Sequence, residues 1–352
     1  MKRLVQKALV VQDQGHLRLA TDTPIPEPGE DQVLIKVEAV ALNPSDVKHL
    51  DYSPAEGTVC GSDLAGIVTK VGGQAATRIA IGDRVSTVVF GCNPSRPSDG
   101  AFAEHIVARP EFCIKLPQDV GYEQGSSISV GLVTCGLVFK ALGLLDNRGN
   151  NAIATKKHVL VYGGSTATGN LAIQLLSHLG HKPITACSPH NFDLVKKSGA
   201  VEAFDYRSPN CRADIQRYTD RDLGHVMDCI TDSASMAISY GAIGPEGGHY
   251  VSLAPFPRGL KLRRKNVQPD WVLGYTIFGN PVILPGGYVK EESPEDVVFT
   301  RNWMVKMERL LAEGSIKPHP IQSQTGGLSG VIRDLDLLRR GVVSGKKLVY
   351  AL

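Results

Sequence analysis

The sequence predicts an α/β protein with a β-rich first part and a doubly wound parallel sheet after it. The segment at 32–41, QVLIKVEAVA, alternates apolar and polar residues as a half-buried strand does. The run at 159–161 is continuously apolar, as expected of a parallel strand covered on both faces. After that run, strand-like and helix-like segments alternate as far as residue 253. These three observations define the fold class.

The stretch from residue 159 to residue 180 predicts a strand, a tight turn and a helix. Two glycines, Gly163 and Gly164, end the strand, and leucines recur at helical spacing between residues 171 and 179. The usual dinucleotide fingerprint has three glycines, for the turn, for the close approach of the pyrophosphate and for helix packing. Gly163 and Gly169 match the outer two, whereas Thr166 and Ala167 stand where the middle glycine would be. We interpret this stretch as the start of a Rossmann unit with hydroxyl groups at its phosphate site.

The end of the second predicted strand indicates the cofactor. An NAD-binding unit carries Asp or Glu there, about 20 residues after the glycines, to accept the ribose 2′-hydroxyl. This chain has Ser188-Pro189-His190-Asn191. A carboxylate would repel a 2′-phosphate, so the sequence predicts dependence on NADPH. The polar groups expected on the phosphate side are Ser165, Thr166, Thr168, Ser188, His190 and Tyr206. The alternative is that Ser188-Pro189 only starts a turn and caps the helix at Phe192.

The alternation continues along the chain. Further strands are expected at Ile184–Cys187, Ala203–Tyr206, Val226–Ile230 and Tyr250–Leu253, with a helix at Phe192–Ser198. The β-rich segments of the first 125 residues are 32–41, 67–71, 84–89 and 102–107, and helical character is expected only around Tyr122–Leu145. A helix from about Thr300 to Glu313 and a strand at Lys347–Tyr350 are expected to complete the fold.

Composition narrows the class of protein. The chain has 352 residues, of which 42% are hydrophobic and 21% charged, which is ordinary for a globular protein of about two domains. A net charge of +3, dispersed along the chain, argues against nucleic-acid binding. No 18-residue apolar run and no signal peptide are recognised, so a cytoplasmic location without membrane association is expected. The seven cysteines form no CxxC pair and are expected to be reduced.

The order of motifs resembles the medium-chain dehydrogenase/reductase superfamily. The matching pieces are EAVALNPSDVK (38–48), GSDLAGIVTKVG (61–72), IGDRV (81–85), GAFAEHIVA (100–108), the VLVYGG turn and GVVSGKKLV (341–349). The resemblance implies a GroES-like β-rich catalytic domain from residues 1–125 and 290–352, and a Rossmann domain from residues 126–289 that binds NADPH.

Zinc-dependent members of that superfamily have Gly-His-Glu where this chain has Gly61-Ser62-Asp63. The change removes an imidazole ligand, and a catalytic zinc needs three protein ligands. Cys60, Asp63 and His49 are the candidate replacement ligands, but their spacing matches no known zinc motif. The sequence therefore predicts no metal, and reduction of an activated C=C bond instead of oxidation of a plain alcohol.

Five strings carry a narrower resemblance, to the trans-acting enoyl reductases of fungal highly reducing polyketide synthases, the family that includes the lovastatin-pathway enzyme. They are YGGSTATGN, CSPHNFDLVKKSGA, FDYRSPN, DCIT and GGHYVSLAPFP. The resemblance implies that NADPH is held by Ser45, Asp46, Val47, Lys48, Ser165, Thr166, Ala167, Thr168, Ser188, Pro189, His190, Asn191, Tyr206, Leu253, Ala254, Val343 and Ser344. It also implies that the acyl chain lies along Cys135, Gly136, Leu137, Val138, Phe139, Lys140, Ala141 and Leu142, and along Gly274, Tyr275, Thr276, Ile277 and Phe278.

The predicted chemistry needs a proton donor. An unsaturated thioester that accepts hydride at its β carbon becomes an enolate, which must be stabilised and then protonated at the α carbon. Lys48 is the first candidate for both tasks and Tyr52 is the reserve. The alternatives are that Lys48 contacts only cofactor phosphate or solvent and that Tyr52 is an ordinary surface residue. The substrate wall is expected to be mostly apolar.

Three functions are compatible with these residues. The leading hypothesis is an NADPH-dependent enoyl reductase acting in trans on an acyl group held by the acyl carrier domain of a polyketide synthase, or of a hybrid with a nonribosomal peptide synthetase. The second is a free-standing quinone or alkenal reductase, and the third is an NADPH-binding accessory subunit. A monomer is expected, because the Pro- and Arg-rich run at 255–265 follows what is expected to be the last strand and would hinder edge pairing.

Overall fold

A computed structural model describes residues 4–73, 78–146, 148–150, 156–257 and 259–352 of the chain. Arg258 and the side chains of Lys261 and Leu262, which belong to the basic run at 255–265, lie outside the described parts.

The strands, in chain order, are β1 (Val5–Asp13), β2 (His16–Pro24), β3 (Val33–Ala41), β4 (Asp63–Val71), β5 (Arg84–Val88), β6 (His105–Ala108), β7 (Ile114–Lys115), β8 (His158–Tyr162), β9 (Lys182–Cys187), β10 (Glu202–Asp205), β11 (His225–Asp228), β12 (Gly248–Ser252), β13 (Val267–Trp271), β14 (Val282–Ile283), β15 (Val289–Lys290), β16 (Ile321–Gln324) and β17 (Lys347–Ala351). The helices are α1 (Pro44–Tyr52), α2 (Tyr122–Gly125), α3 (Ser129–Ala141), α4 (Ala167–His178), α5 (Phe192–Lys197), α6 (Cys211–Tyr218), α7 (Ser233–Ala242), α8 (Leu260–Arg263), α9 (Pro294–Ala312) and α10 (Gly327–Arg339).

The chain divides into two compact units. Unit 1 consists of residues 1–130, 284–286 and 304–352, and unit 2 consists of residues 131–283 and 287–303, so the division falls inside α9.

Unit 1 is built on a mainly antiparallel sheet. Its strands lie in the order β16-β17-β3-β4-β5-β7, with β6 also paired to β3, and β1 and β2 form a separate hairpin. Alternation along β3 places Val33, Ile35 and Val37 in the core, as the sequence pattern predicts. The C-terminal strand β17 pairs with β3, so the two ends of the sequence share one sheet.

Unit 2 is a parallel sheet with the strand order β10-β9-β8-β11-β12-β13. This is the doubly wound order 3-2-1-4-5-6, in which the direction of strand addition reverses between β8 and β11. Ligands of such sheets bind at the carboxyl ends of the strands near that reversal. The α/β fold class and the Rossmann order are both confirmed.

Two expectations about elements were wrong, and one helix was not predicted. The sheet does not end near Leu253, because β13 adds an edge strand after the basic run. Its Pro269 is compatible with an edge position, since the missing N–H is then not needed by a further strand. Helical structure in the first 125 residues is not limited to the region around residue 122, because α1 follows Asn43 directly. The sequence analysis also assigned no element to α10.

Candidate active site

The turn that is predicted to bind phosphate joins β8 to α4 in unit 2. Gly163 has a φ of 83°, which favours glycine. The Thr166 hydroxyl donates to the Gly163 carbonyl at 2.8 Å and accepts from the Gly169 N–H at 3.0 Å, so Thr166 caps α4. The hydroxyl of Thr166 is therefore engaged within the turn, while Ser165, Ala167 and Thr168 are half-buried beside it.

The glycines of this turn allow the strand, the turn and the helix to pack closely. A Cβ on Gly169 would lie 2.3 Å from the Gly163 oxygen. A Cβ on Gly164 would lie 2.1 Å from Thr185 Oγ1, which accepts from the Gly164 N–H at 3.1 Å and donates to the Val161 carbonyl at 2.6 Å. The turn is thus held against the sheet with the amino end of a twelve-residue helix beside it. Such a cradle fits a pyrophosphate group.

The residues predicted to bind the ribose and its 2′-phosphate lie at the ends of the neighbouring strands β9 and β10. Ser188 is half-buried after β9, Pro189 and His190 are exposed, and Asn191 is buried. Ser188-Pro189 does start a turn that leads into α5, with the Asn191 N–H donating to the Ser188 carbonyl at 2.9 Å, but the Ser188 side chain makes no capping hydrogen bond. The segment 188–191 has no carboxylate. Asp205 is the register partner of Cys187, and its carboxylate accepts the Arg207 N–H at 3.0 Å.

Arg207 is a residue that the sequence analysis missed. It follows Tyr206 at the end of β10, and its guanidinium lies 5.3 Å from the centroid of the Tyr206 ring. Its Nε donates to the Tyr206 hydroxyl at 3.3 Å. Because Arg207 is exposed at the strand next to β9, it can supply a cation for a 2′-phosphate. The FDYRSPN string contained this signal, but only Tyr206 was singled out from it.

On the other side of β8, the ends of β11 and β12 are held by Asp228. Its carboxylate accepts the Ile230 and Thr231 N–H groups at 2.9 and 3.0 Å, and the Tyr250 hydroxyl at 2.8 Å. Burial raises the pKa of Asp228, although these donors oppose the shift. Thr231 has a φ of 63°, a strained value for a β-branched residue. The predicted residues Leu253 and Ala254 follow β12, where the Ser252 hydroxyl donates to the Ala254 carbonyl at 2.8 Å.

The two segments expected to hold the acyl chain meet at one cavity within unit 2. Its volume is about 250 Å³, and Leu137, Lys140, Ala141 and Thr276 line it together with Val272 and Asp296. Cys135, Gly136, Val138, Phe139 and Leu142 are buried. In the second segment, Tyr275 and Ile277 are buried, and Gly274 and Phe278 are half-buried.

The wall of this cavity is more polar than the sequence analysis expected. Lys140 Nζ lies 2.9 Å from Asp296 Oδ1, and the Thr276 hydroxyl donates to Asp296 Oδ2 at 2.7 Å. Across the cavity, the Lys290 ammonium lies 4.6 Å from the centroid of the Trp271 ring. The apolar residues Val138, Phe139 and Ile277 are instead part of the core, since helical periodicity turns them away from the cavity.

Helix α1 of unit 1 carries the residues proposed for proton transfer. Pro44 begins the helix, and the Asp46 carboxylate accepts the Asn43 N–H at 2.8 Å. Ser45 and Lys48 are half-buried on this helix, whereas Val47 packs into the core. Tyr52, at the end of the helix, is 64% exposed. Burial raises the pKa of Asp46 to about 7, against the opposing effect of its donors Asn43 and Ser62.

A buried polar network lies behind the first turn of α1. The Lys347 ammonium donates to Asp63 Oδ2, to Asn43 Oδ1 at 2.8 Å and to the Ser127 carbonyl at 3.2 Å. Asp63 also accepts from Asn43 Nδ2 at 3.1 Å and from the Val130 N–H at 2.8 Å. Both oxygens of Asp63 are therefore engaged. The sequence analysis identified Asp63 and the SGKKLV motif but did not relate them.

The donors that were considered as zinc ligands do not fit a metal. Asp63 is neutralised by Lys347, and a hydrogen bond to Cys92 together with burial raises the pKa of the Cys60 thiol well above its usual range. A cysteine binds zinc as the thiolate, which a raised thiol pKa disfavours. Among the described residues, no three His, Cys, Asp or Glu side chains are arranged to hold a metal ion.

The remaining predicted cofactor residues, Val343 and Ser344, lie between α10 and β17 in unit 1. Val343 packs against the core and Ser344 is exposed. No helix in the described ranges is both long and apolar enough to cross a membrane.

Comparison with known proteins agrees with this architecture. Residues 29–118 match the alcohol dehydrogenase GroES-like domain family. The trans-enoyl reductase caaB of Aspergillus niger is 42% identical, over 98% of this chain and 97% of that protein, and a trans-enoyl reductase of Gibberella fujikuroi is 40% identical, over 99% of both. The quinone oxidoreductase structure from Coxiella burnetii has a TM-score of 0.74 at 24% identity and covers 99% of this chain and 100% of its own.

The GroES-like domain match, the doubly wound parallel sheet and the relatives at about 40% identity define an oxidoreductase of the medium-chain dehydrogenase/reductase superfamily, the class that uses a nicotinamide cofactor. Within that superfamily, the identity of about 40% to trans-enoyl reductases over nearly the full length shows to which family the chain belongs. The chain belongs to the fungal trans-enoyl reductases and is an enoyl reductase.

Proposed function

We propose that this enoyl reductase uses NADPH to reduce the α,β-unsaturated acyl thioester of a polyketide chain held by the acyl carrier domain of a separate polyketide synthase. The observation that carries the proposal is the 42% identity to a trans-enoyl reductase over 98% of the chain. The likeness to a quinone oxidoreductase, at 24% identity, reflects only the shared fold and does not favour quinones as substrates.

The preference for NADPH rests on the ends of β9 and β10. No carboxylate occupies 188–191, and the Asp205 carboxylate at the end of β10 accepts the backbone N–H of Arg207. Ser188, His190, Tyr206 and Arg207 would hold the 2′-phosphate. Hydrogen bonds to a charged group contribute about 1.5–3 kcal/mol each, which corresponds to a preference of roughly tenfold or more.

The pyrophosphate would bind at the amino end of α4. The half-buried residues Ser165 and Thr168 offer hydroxyl groups there, while the Thr166 hydroxyl keeps the turn closed. Leu253, Ala254, Val343 and Ser344 are proposed as further cofactor contacts on the basis of the family resemblance.

The bound cofactor supplies a hydride to the β carbon of the thioester. The charge that then develops on the thioester oxygen needs a cation or a hydrogen-bond donor, and the α carbon needs a proton. We assign both tasks to Lys48 Nζ, with the Tyr52 hydroxyl in reserve. General acid catalysis contributes about 10²–10⁴-fold to a rate, so loss of the Lys48 ammonium should slow turnover to that extent.

The acyl chain is proposed to lie against the cavity formed by α3 and the 274–278 turn. Leu137 and Ala141 offer apolar surface, and the bound pair Lys140 and Asp296 limits the length of that surface. Because an apolar wall discriminates one methylene by only about 1–3 kcal/mol, the enzyme should accept several chain lengths. The partner is a polyketide synthase or its hybrid with a nonribosomal peptide synthetase, and the enzyme is proposed to act as a monomer.

The test follows NADPH absorbance with a crotonyl-pantetheine thioester and, separately, with a quinone. The wild type, Lys48→Ala and the exposed-lysine control Lys7→Ala are compared. Reduction of the thioester by the wild type and the control, with a loss of about 10² or more in Lys48→Ala, supports the proposal. Turnover of the quinone alone, or binding of NADPH without oxidation by either substrate, overturns it.

A further inference from the structure

Lys347 is a buried lysine whose surroundings indicate a specific task. It is 5% exposed, and its ammonium has three oxygen partners in unit 1, from Asp63, Asn43 and the Ser127 carbonyl. An ammonium has three donors, so all of its hydrogen-bonding capacity is used. Lys346, the adjacent lysine of the same motif, is exposed.

The network converges on the residue that precedes α1. Asn43 is the N-terminal cap residue of that helix, yet its side chain does not cap the helix. Its amide oxygen accepts from Lys347 and its amide nitrogen donates to Asp63. The Asn43 N–H is bound by Asp46, which also accepts from the Ser62 hydroxyl at 3.0 Å. A continuous set of hydrogen bonds therefore runs from Lys347 to the first turn of α1.

The last turn of the same helix is held separately. Arg339 of α10 donates two hydrogen bonds to the Asp51 carboxylate, at 2.7 and 3.1 Å, and one to the Gly15 carbonyl at 2.7 Å. With this end fixed at the surface and the other end fixed by buried groups, the helix has little freedom to rotate or slide. Lys48 lies between the two anchors.

We propose that Lys347 is a positioning residue for the reductase reaction: through Asn43 and Asp63 it fixes the first turn of α1 and thereby the placement of Ser45 and Lys48. The inference rests on the proposed function in that it takes Lys48 to be the proton donor. Lys347 itself contacts no reacting group.

Stability alone gives little reason for this arrangement. Replacing a buried ion pair by apolar groups of similar volume is often neutral or stabilising, because desolvation offsets the attraction between the charges. A buried ion pair that holds one geometry has an advantage over apolar groups where a catalytic side chain must be placed accurately. A displacement of about 1 Å can reduce a rate by about 10²-fold. Lys347 and Asp63 are 284 residues apart in sequence and meet behind a proposed catalytic turn.

The experiment uses full-length variants. Lys347→Met alone leaves the Asp63 carboxylate buried without its cation and can fail to fold. The informative variant is therefore the pair Lys347→Met/Asp63→Asn, which removes both charges and keeps an acceptor for the Val130 N–H. Lys346→Met is the matched control. Each is made in the wild-type background and in the Lys48→Ala background, and kcat is measured with NADPH and crotonyl-pantetheine.

The expected result is a fall in kcat of about 10²-fold for the pair variant in the wild-type background, with little further fall in the Lys48→Ala background. Lys346→Met should have wild-type kcat in both. An equal loss in both backgrounds would mean that Lys347 acts on folding and not through Lys48, and would overturn the inference. Wild-type kcat in the pair variant would also overturn it.

A second measurement separates this inference from the proposed function. If the wild type does not reduce the thioester, the proposed function fails, but hydrogen exchange of backbone amides at 43–50 still tests the positioning. Exchange should be about tenfold faster in the pair variant, while amides of the β3–β4 ladder keep wild-type protection. Unchanged exchange at 43–50 would show that Lys347 does not fix this turn.

Discussion

Gly169→Ala tests whether the turn between β8 and α4 is the cofactor cradle. The added Cβ would lie 2.3 Å from the Gly163 oxygen and 2.9 Å from the Gly164 Cα. An ordinary contact begins at 3.4 Å, so the helix and the turn must separate by about 1 Å. Overpacking of this kind costs about 1–3 kcal/mol, and the same displacement widens the phosphate site. Binding requires the undisplaced turn and must restore the strain that the displacement relieves, so we expect the dissociation constant of NADPH to rise by about fivefold to 150-fold, since 1.4 kcal/mol corresponds to tenfold.

The assay is a fluorescence titration with NADPH, together with thermal unfolding. Gly259→Ala is the matched control in unit 2, because a Cβ there meets no atom within 4 Å among the described residues outside its chain neighbours, and its φ of −63° suits alanine. The control should bind NADPH as the wild type does. Wild-type affinity and wild-type melting in Gly169→Ala would refute the assignment of this turn to the cofactor.

The structure supports three further predictions, each about a different residue. Ser188→Asp should lower the ratio of kcat/KM for NADPH to that for NADH by about tenfold or more, because a carboxylate repels the 2′-phosphate. In Gly136→Ala the Cβ would lie 2.7 Å from the indole nitrogen of the buried Trp303, so urea unfolding should show a loss of about 1–3 kcal/mol. Burial lowers the pKa of His319 to about 4 from its ordinary 6.5. Between pH 6.5 and pH 4 the unfolded state therefore binds more protons than the folded state, so the free energy of unfolding falls as the pH drops through this range. Between pH 7 and pH 5, the free energy of unfolding should therefore decrease by about 2 kcal/mol less in His319→Leu than in the wild type. Urea unfolding of both proteins at the two pH values measures this difference.

The nucleotide-binding unit was predictable from the sequence because its signals are local. An apolar run, two glycines and a leucine stripe within about 20 residues specify β8, the turn and α4 with little help from the rest of the chain. The doubly wound parallel sheet followed from the alternation of elements, except for its edge strand β13. Missing carboxylates at 188–191 could also be recognised, since the position of the acidic residue is set by the motif.

Elements stabilised by distant contacts were not predictable. Helix α1 has only two core residues, Val47 and Leu50, and its start depends on Asn43, whose side chain is held by residues far away in sequence. The edge strand β13 contains proline and aspartate, which disfavour strands when considered locally. The polar wall of the cavity depends on Asp296, which reaches Lys140 from 156 residues away. No sequence spacing encodes such pairs.

The changes at positions 62 and 63 have a structural consequence beyond the absence of a metal ligand. Zinc-dependent members of the superfamily have a histidine and a glutamate there, whereas the serine and the aspartate of this chain both support the first turn of α1. Ser62 donates to Asp46, and Asp63 binds Asn43 and Lys347. The position that could have held a Lewis acid instead fixes the segment that carries Lys48. Because an ammonium can both stabilise an enolate and protonate it, an accurately placed lysine suits the reduction of a conjugated thioester, in which charge develops on oxygen and a proton is needed at carbon.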